Sequence, residues 1–539
     1  MKFIKTAFAI GLILVASTAL AERNEKDLNG AEKSGSEVSA VTEFDLVILN
    51  GRVIDPETKL NAVRNIGIIN GTISIVTEKS ISGQKTIDAI GKIVSPGFID
   101  LHMHGQNLGA YRMQATQGVT MALELESGVL PIDEFYAGQA AKNLPIHYGA
   151  AAAWTFGRIA TFTGNEPEAT AEYFQNAQGA SNWKEELATS EQLNKILKEV
   201  KEGLEQGALG IGVNAGYAPG NGHFEYYSLA KLAKKHGVGT FTHVRFMKGP
   251  ERNNAFEALQ ELIANAAAND VPMHICHINS SSQKDIVHTL ELYEGAKANG
   301  LKVTAGAYPW GAASTVIKAA MFSGPTWKED METTESAFQL GKERLTKAKF
   351  DDLQANAPGT FIVWHFLDAD KPEELALMDA SILHPDVQIE SDAMPMYVPK
   401  DGGIVPYNGN EWPLPADLIN HPRSGATFTK ILQDYVRDRQ LLSLSDAIKK
   451  MSLMPAQTLE EAVPQMKKKG RIQVGMDADI AVFDLNDIKI NATYLEPYHP
   501  SEGMAYVLVM GTPIIENGNL LLDASPGLAI RRDVTVPLN

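Results

Sequence analysis

Apolar positions along this chain follow two textures, and these divide it. From Phe44 to about Ile93 the segment FDLVILNGRVIDPETKLNAVRNIGIINGTISIV reads as a meander of short, β-branched strands. Asn50-Gly51 and Asn70-Gly71 supply tight-hairpin turns there. The stretch KKKGRIQVGMDADIAVFDL and the later YVLVMGTPIIENG repeat that texture, with turns at Val474-Gly475 and Asn517-Gly518. Two β-rich ends predict one small β-sandwich domain built from residues 44–93 and 466–539. The middle predicts strands at 94–101, 118–126, 146–153, 208–214, 238–243, 272–277, 302–308 and 386–392. Helical spacing is clearest at 189–206, 225–236, 253–269 and 283–299. Strands alternating with helices imply a parallel sheet, and eight of them predict a (β/α)8 TIM-type barrel over 94–465. The interval 315–385 is too long for a crossover and predicts an insertion beside the barrel mouth, helical and charged from Trp327 to Asn356. Pro and Gly in 395–420 predict a loop or lid.

The first residues have a different character. Lys2 and Lys5 precede an apolar run from Ala7 to Val15, and Ala19-Leu20-Ala21 reads as a cleavage site. Residues 1–21 are therefore expected to be a signal peptide cut after Ala21, with export to a periplasm or secretion. Polar residues 22–43 predict a flexible leader. No later apolar run is long enough to span a membrane. A net charge of −17 argues against nucleic acid and anionic membranes, leaving a small-molecule substrate. Cys276 is the single cysteine, which excludes an internal disulfide.

Catalytic groups of such barrels collect at the C-terminal strand ends. His102-Met103-His104 ends the first strand, and alternation puts both imidazoles on one side, suited to a divalent metal such as zinc. The fifth strand ends in Thr242-His243-Val244-Arg245 and the sixth in His274-Ile275-Cys276-His277, where either histidine could be the ligand. The eighth ends in Glu390-Ser391-Asp392, and Asp392 fits a general base beside a metal. Glu124 and Glu126 on the second strand point the same way, which is costly in a barrel interior unless a cation compensates. One of them is expected to be a metal ligand, with Glu126 preferred because it lies nearer the strand end. The fourth strand contains no Lys, so a carboxylated-lysine bridge between two metals cannot come from it; a second-strand carboxylate would take that place. Cys276 reads as a packed residue; His223 and Glu225 are either pocket-lining or, the preferred reading, a solvated loop, and Arg423 either binds substrate or, the preferred reading, locks its loop. Trp310 reads equally as pocket wall or core, and His236, His288, His365 and His384 as structural or surface residues.

With those residues in place, the chain resembles the amidohydrolase superfamily, and within it the D-aminoacylase (N-acyl-D-amino-acid deacylase) branch. The resemblance runs from about Phe44 to Gly518 through PGFIDLHMH, GVTMALELESG, GALGIGVNAGYAPG, THVR, HICHIN, AYPWGAAST, SDAMP, HPRSGATF, YVRDRQLLSLSDAIKKMSLMPA and GRIQVGMDADIAVFD. It implies His102, His104, His243 and His277 as metal-site residues and Asp392 as the catalytic acid and base. The branch carries a Cys ligand where this chain has Ser127 beside Glu126, and a Lys that holds the substrate carboxylate where it has Asn279. Tyr308 and Ser314 match the other carboxylate-holding residues, and Arg245 is a candidate for the missing charge. The expected activity is hydrolysis of the amide in an N-acyl amino acid, D in configuration, with one or two divalent metals. A cyclic-amide, dipeptide or lactone hydrolase on the same site, and a non-catalytic binding protein, are the alternatives.

Overall fold

The computed structural model describes residues 43–247, 253–400 and 403–533, so the expected signal peptide and the leader as far as Thr42 lie outside the described residues. Eight parallel strands form the centre: β1 (Phe98–Asp100), β2 (Val119–Val129), β3 (His147–Ala153), β4 (Ile211–Asn214), β5 (Thr240–His243), β6 (Met273–Ile275), β7 (Val303–Ala307) and β8 (Val387–Ile389). They pair in chain order from β1 to β8. The seam between the first and last is closed just beyond their ends. The His104 amide donates to the Ala393 carbonyl at 2.7 Å. The Asp100 carboxylate also accepts from the backbone amides of His102 and Ser391, at 3.1 and 3.0 Å.

Helices pack outside this sheet for readable reasons. Ser190–Glu205 starts at a capping box between Thr189 and Gln192 and turns Ile196, Val200 and Leu204, spaced four apart, to the core. The two chain ends share one nine-stranded sheet, in which Ile480–Phe483 pairs antiparallel with Ile93–Pro96. Residues of both ends, including Ile48, Ile66, Ile73, Ile480 and Leu508, fill a single apolar cluster within it. The segment near Ile530 departs from this sheet and reaches the barrel, where its amide donates to the Tyr148 carbonyl of β3 at 2.8 Å.

The insertion is more β-rich than its composition suggests. Trp327–Asp330 and Lys347–Asn356 are helical, but Phe338–Leu340 and Glu343–Arg344 between them are strands. These join Ala312–Val316 and Phe361–His365 in a four-stranded antiparallel sheet. The charged surface pattern hid the reason: Phe338 is drawn into an aromatic cluster with Phe322, Phe350 and Trp364, which fixes an extended backbone. The Pro/Gly-rich stretch likewise contains a hairpin, Tyr397–Lys400 with Gly403–Pro406.

A buried ion pair fastens the shared sheet to the barrel floor. Lys469 donates to Asp479 at 2.7 Å, Asp477 lies 2.9 Å from the same ammonium, and His147 of β3 meets Asp479 at 3.2 Å. Deleting one member of a buried pair leaves the other charge uncompensated. Lys469→Met is therefore expected to lower stability by about 3–5 kcal/mol in denaturant unfolding; a loss within error of zero would show that the pair carries no such role.

Candidate metal centre

The donors converge above the sheet because strand periodicity and two left-handed turns aim them inward. His102 and His104 leave β1 on one side, with ring centroids 4.8 Å apart. His243 ends β5, and His277 follows β6 with a φ of +36°, a turn that swings its ring back to within 4.7 Å of the His243 ring. Asp392, at φ +51°, follows β8 in the same manner.

Glu126 sits among all four imidazoles. One oxygen lies 3.3 Å from both His102 Nε2 and His104 Nε2. The other is 3.0 Å from His243 Nδ1 and 2.7 Å from His277 Nε2. Two donor triads thus share one carboxylate: His102, His104 and Glu126 on one side, and Glu126, His243 and His277 on the other. A third, His102, His277 and Asp392, borders them. Glu124 does a different job, since its carboxylate holds His104 Nδ1 at 2.8 Å and receives the Ser127 amide at 3.2 Å.

A second buried carboxylate, to which the sequence pattern gave no role, organises the floor. Glu390 accepts from the His277 amide at 2.5 Å and lies 3.4 Å from His102 Nδ1. His274 reaches the same group at 3.1 Å, so it sits beneath the cluster as a support while His277 faces it. A Cβ on Gly306 would fall 2.1 Å from the Glu390 carboxyl carbon, which accounts for glycine on β7. Cys276 packs with Ile99 and Leu101 in the apolar interior.

The substrate-side expectations need correcting. Arg245 is not a free cation: Glu261 holds it at 2.7 Å, and Asn221 and the Pro219 carbonyl take its remaining donors. Asn279 spends its amide nitrogen on the Tyr308 carbonyl at 2.9 Å and, like Tyr308 and Arg423, does not line the cavity. Glu225 is buried in an ion pair with Arg158 at 2.7 Å, whereas His223 is exposed. Trp310 packs against His421 and Tyr494. Ser314 lines the cavity. Arg423 lies against Asp392. It is fully buried, its terminal nitrogen is 2.8 Å from Asp392, and its guanidinium lies 4.8 Å over the Tyr308 ring. None of its three nitrogens has a well-formed hydrogen bond.

Electrostatics favour a cation at the centre. Burial alone would lower the His102 pKa, yet Asp392 and Glu126 raise it to about 10. Burial would raise Glu126, and His102 and His277 instead hold it well below the usual carboxylate range. Asp392 is likewise raised by burial but brought down by Arg423 and then His102. His102 Nε2 and His104 Nε2 face each other at 3.0 Å, so the space between them takes either one N–H hydrogen or a metal ion. The nitrogen and carboxylate donor set suits a divalent ion such as zinc.

Against known proteins, the model of the amidohydrolase family matches residues 85–337 and 407–515. The chain belongs to the amidohydrolase family. Within reach of it lie a D-aminoacylase from Alcaligenes xylosoxydans xylosoxydans, 27% identical over 87% of this chain and 94% of that protein. An N-acyl-D-glutamate deacylase of the same organism is 26% identical over 92% and 98%. The fold matches the crystal structure of N-acyl-D-glutamate deacylase from Bordetella bronchiseptica, complexed with zinc and a phosphonate inhibitor, with a TM-score of 0.71 and 21% identity. That match covers 91% of this chain and all of the other. In this family member Glu126, rather than Ser127, carries the donor that reaches the imidazoles.

Partners that orient ligands typically change metal affinity 10–100-fold when lost. Glu126→Ala is expected to remove most bound metal on dialysis, and Glu124→Gln to weaken binding by about 10–100-fold in a chelator competition. Unchanged affinity in both variants would exclude this carboxylate arrangement.

Proposed function

We propose that this chain is a zinc-dependent hydrolase of N-acyl-D-amino acids. His102, His104, Glu126, His243 and His277 would hold one or two divalent ions. The observation that carries the reading is Arg423: a buried guanidinium without a well-formed hydrogen bond, placed beside the acid–base candidate, is a receiver for a substrate carboxylate. The two curated relatives, a D-aminoacylase and an N-acyl-D-glutamate deacylase, support the same class.

A divalent cation held by these residues would polarise the acyl carbonyl and lower the pKa of water. Asp392, kept ionised by Arg423, accepts the proton of the attacking water and delivers it to the leaving nitrogen. Arg423, stacked on Tyr308, fixes the α-carboxylate, and the Ser314 hydroxyl on the cavity wall is available to the same end of the substrate. Export, with cleavage after Ala21, completes the reading. It is checked by the N-terminal sequence of protein released by osmotic shock, where a start at Glu22 is expected and an intact Met1 would refute it.

Asp392→Asn is expected to lower kcat by about 10²- to 10⁴-fold with metal content unchanged, and near-normal turnover would remove Asp392 from the mechanism. Arg423 lowers the Asp392 pKa, so the carboxylate persists as pH falls and the acid limb of kcat/KM lies low. Arg423→Gln should move that limb to higher pH and raise KM for N-acetyl-D-amino acids, but not for N-alkyl acetamides that lack the carboxylate. Equal losses on both substrate types would assign Arg423 to structure alone.

A further inference from the structure

Beside the metal donors opens a cavity of about 230 Å³ whose far wall does not belong to the barrel strands. That wall is apolar. Phe174 comes from the helix Ala171–Asn176, Tyr217 follows β4, Met247 follows β5, and Met321, Phe361 and Trp364 come from the insertion. It begins at the donors themselves: the Tyr217 ring is 4.9 Å from His243 on one side and 5.3 Å from Phe174 on the other. Tyr217 turns its hydroxyl to Thr315 at 2.8 Å, and Trp364 turns its indole N–H to Thr333 at 3.2 Å, so carbon faces the space. Away from the metal donors, the charged residues among the described ones lining it are Glu172, on the helix of Phe174, and Lys142, whose ammonium is bound to the Gln106 carbonyl at 2.9 Å.

Arg423 and Tyr308 are not on this wall. Resting on the reading above, in which Arg423 takes the α-carboxylate, the substrate's two halves can be assigned. A trans amide places the acyl chain and the α-carbon on opposite sides of the C–N bond. With the carboxylate at Arg423 and the scissile carbon at the donors, the acyl chain extends into the apolar cavity. We propose that this cavity is an acyl-chain subsite, selecting N-acyl amino acids with extended apolar acyl groups over N-acetyl ones. The flexible thioethers of Met247 and Met321 adapt to such chains.

The test is kcat/KM of the metal-replete enzyme for D-alanine carrying acetyl, butyryl, hexanoyl, octanoyl and decanoyl groups. A rise of roughly 3- to 4-fold per buried methylene, up to a plateau, is expected. Met321→Lys, at a half-buried position, should flatten the rise while hydrolysis of N-acetyl-D-alanine persists, and Phe361→Ala should reduce it. A flat or falling series in the unmodified enzyme overturns the proposal. A second readout does not depend on turnover: calorimetric binding of octanamide should be tighter than that of acetamide, and Met321→Lys should abolish the difference. If no N-acyl amino acid is hydrolysed but octanamide still binds more tightly, the deacylase reading falls and the apolar subsite stands. If turnover occurs with neither chain-length dependence nor octanamide preference, the subsite falls and the deacylase reading stands.

Discussion

The imidazoles of His102, His243 and His277 and the carboxylates Glu126, Glu390 and Asp392 are removed from water together at the top of this barrel, with His104 partly covered beside them, and charge balance among them governs the arrangement around them. A buried carboxylate is costly without a compensating charge. Glu390 meets this cost from below by accepting the His277 amide and holding His102 and His274. Glu126 meets it among the four rings, and Asp392 meets it through Arg423. Asp100 performs a comparable task at the seam, where burial raises its pKa to about 6 against hydrogen bonds from Ser391 and His102. The same carboxylate thus ties the first strand end to the last, so barrel closure and site geometry are one constraint.

Much of this was legible in the sequence because period-two alternation is a local rule. It puts His102 with His104 and Glu124 with Glu126, and the strand ends follow from apolar runs bounded by turns. What escaped was set by tertiary contact. Glu390 shares the Glu-Ser-Asp triplet with Asp392, and nothing local reveals that its carboxylate turns under the rings. Arg423 opens a helix thirty-one residues after Asp392, and Arg245 is neutralised by Glu261 and Asn221 from other elements. The sequence therefore offered Arg245 as a free charge, which its partners remove, and left Arg423 between substrate and loop, which only its contact with Asp392 bears on. Glu225, buried against Arg158, failed for the same reason.

The cavity joins two regions with different origins. Its floor is made by barrel strand ends, whose positions are fixed by hydrogen-bonded registers. Part of its wall comes from the insertion, which has its own aromatic core of Phe322, Phe338, Phe350 and Trp364. A wall packed around a separate core can change its lining without disturbing the donors beneath. This division lets one chemical centre serve different substrates.

The strand Ile480–Phe483 pairs with Ile93–Pro96, and the Ile530 amide docks on β3. These contacts close loops of several hundred residues, and such long-range pairings are slow to form. During synthesis the strands that carry His102 and Glu126 emerge early, but the sheet that supports them waits for nearly the whole chain. Assembly of the donors is therefore a late event, and a nascent chain stopped short of Asp479 would lack both the floor pair at Asp479 and the partner strand of Ile93–Pro96.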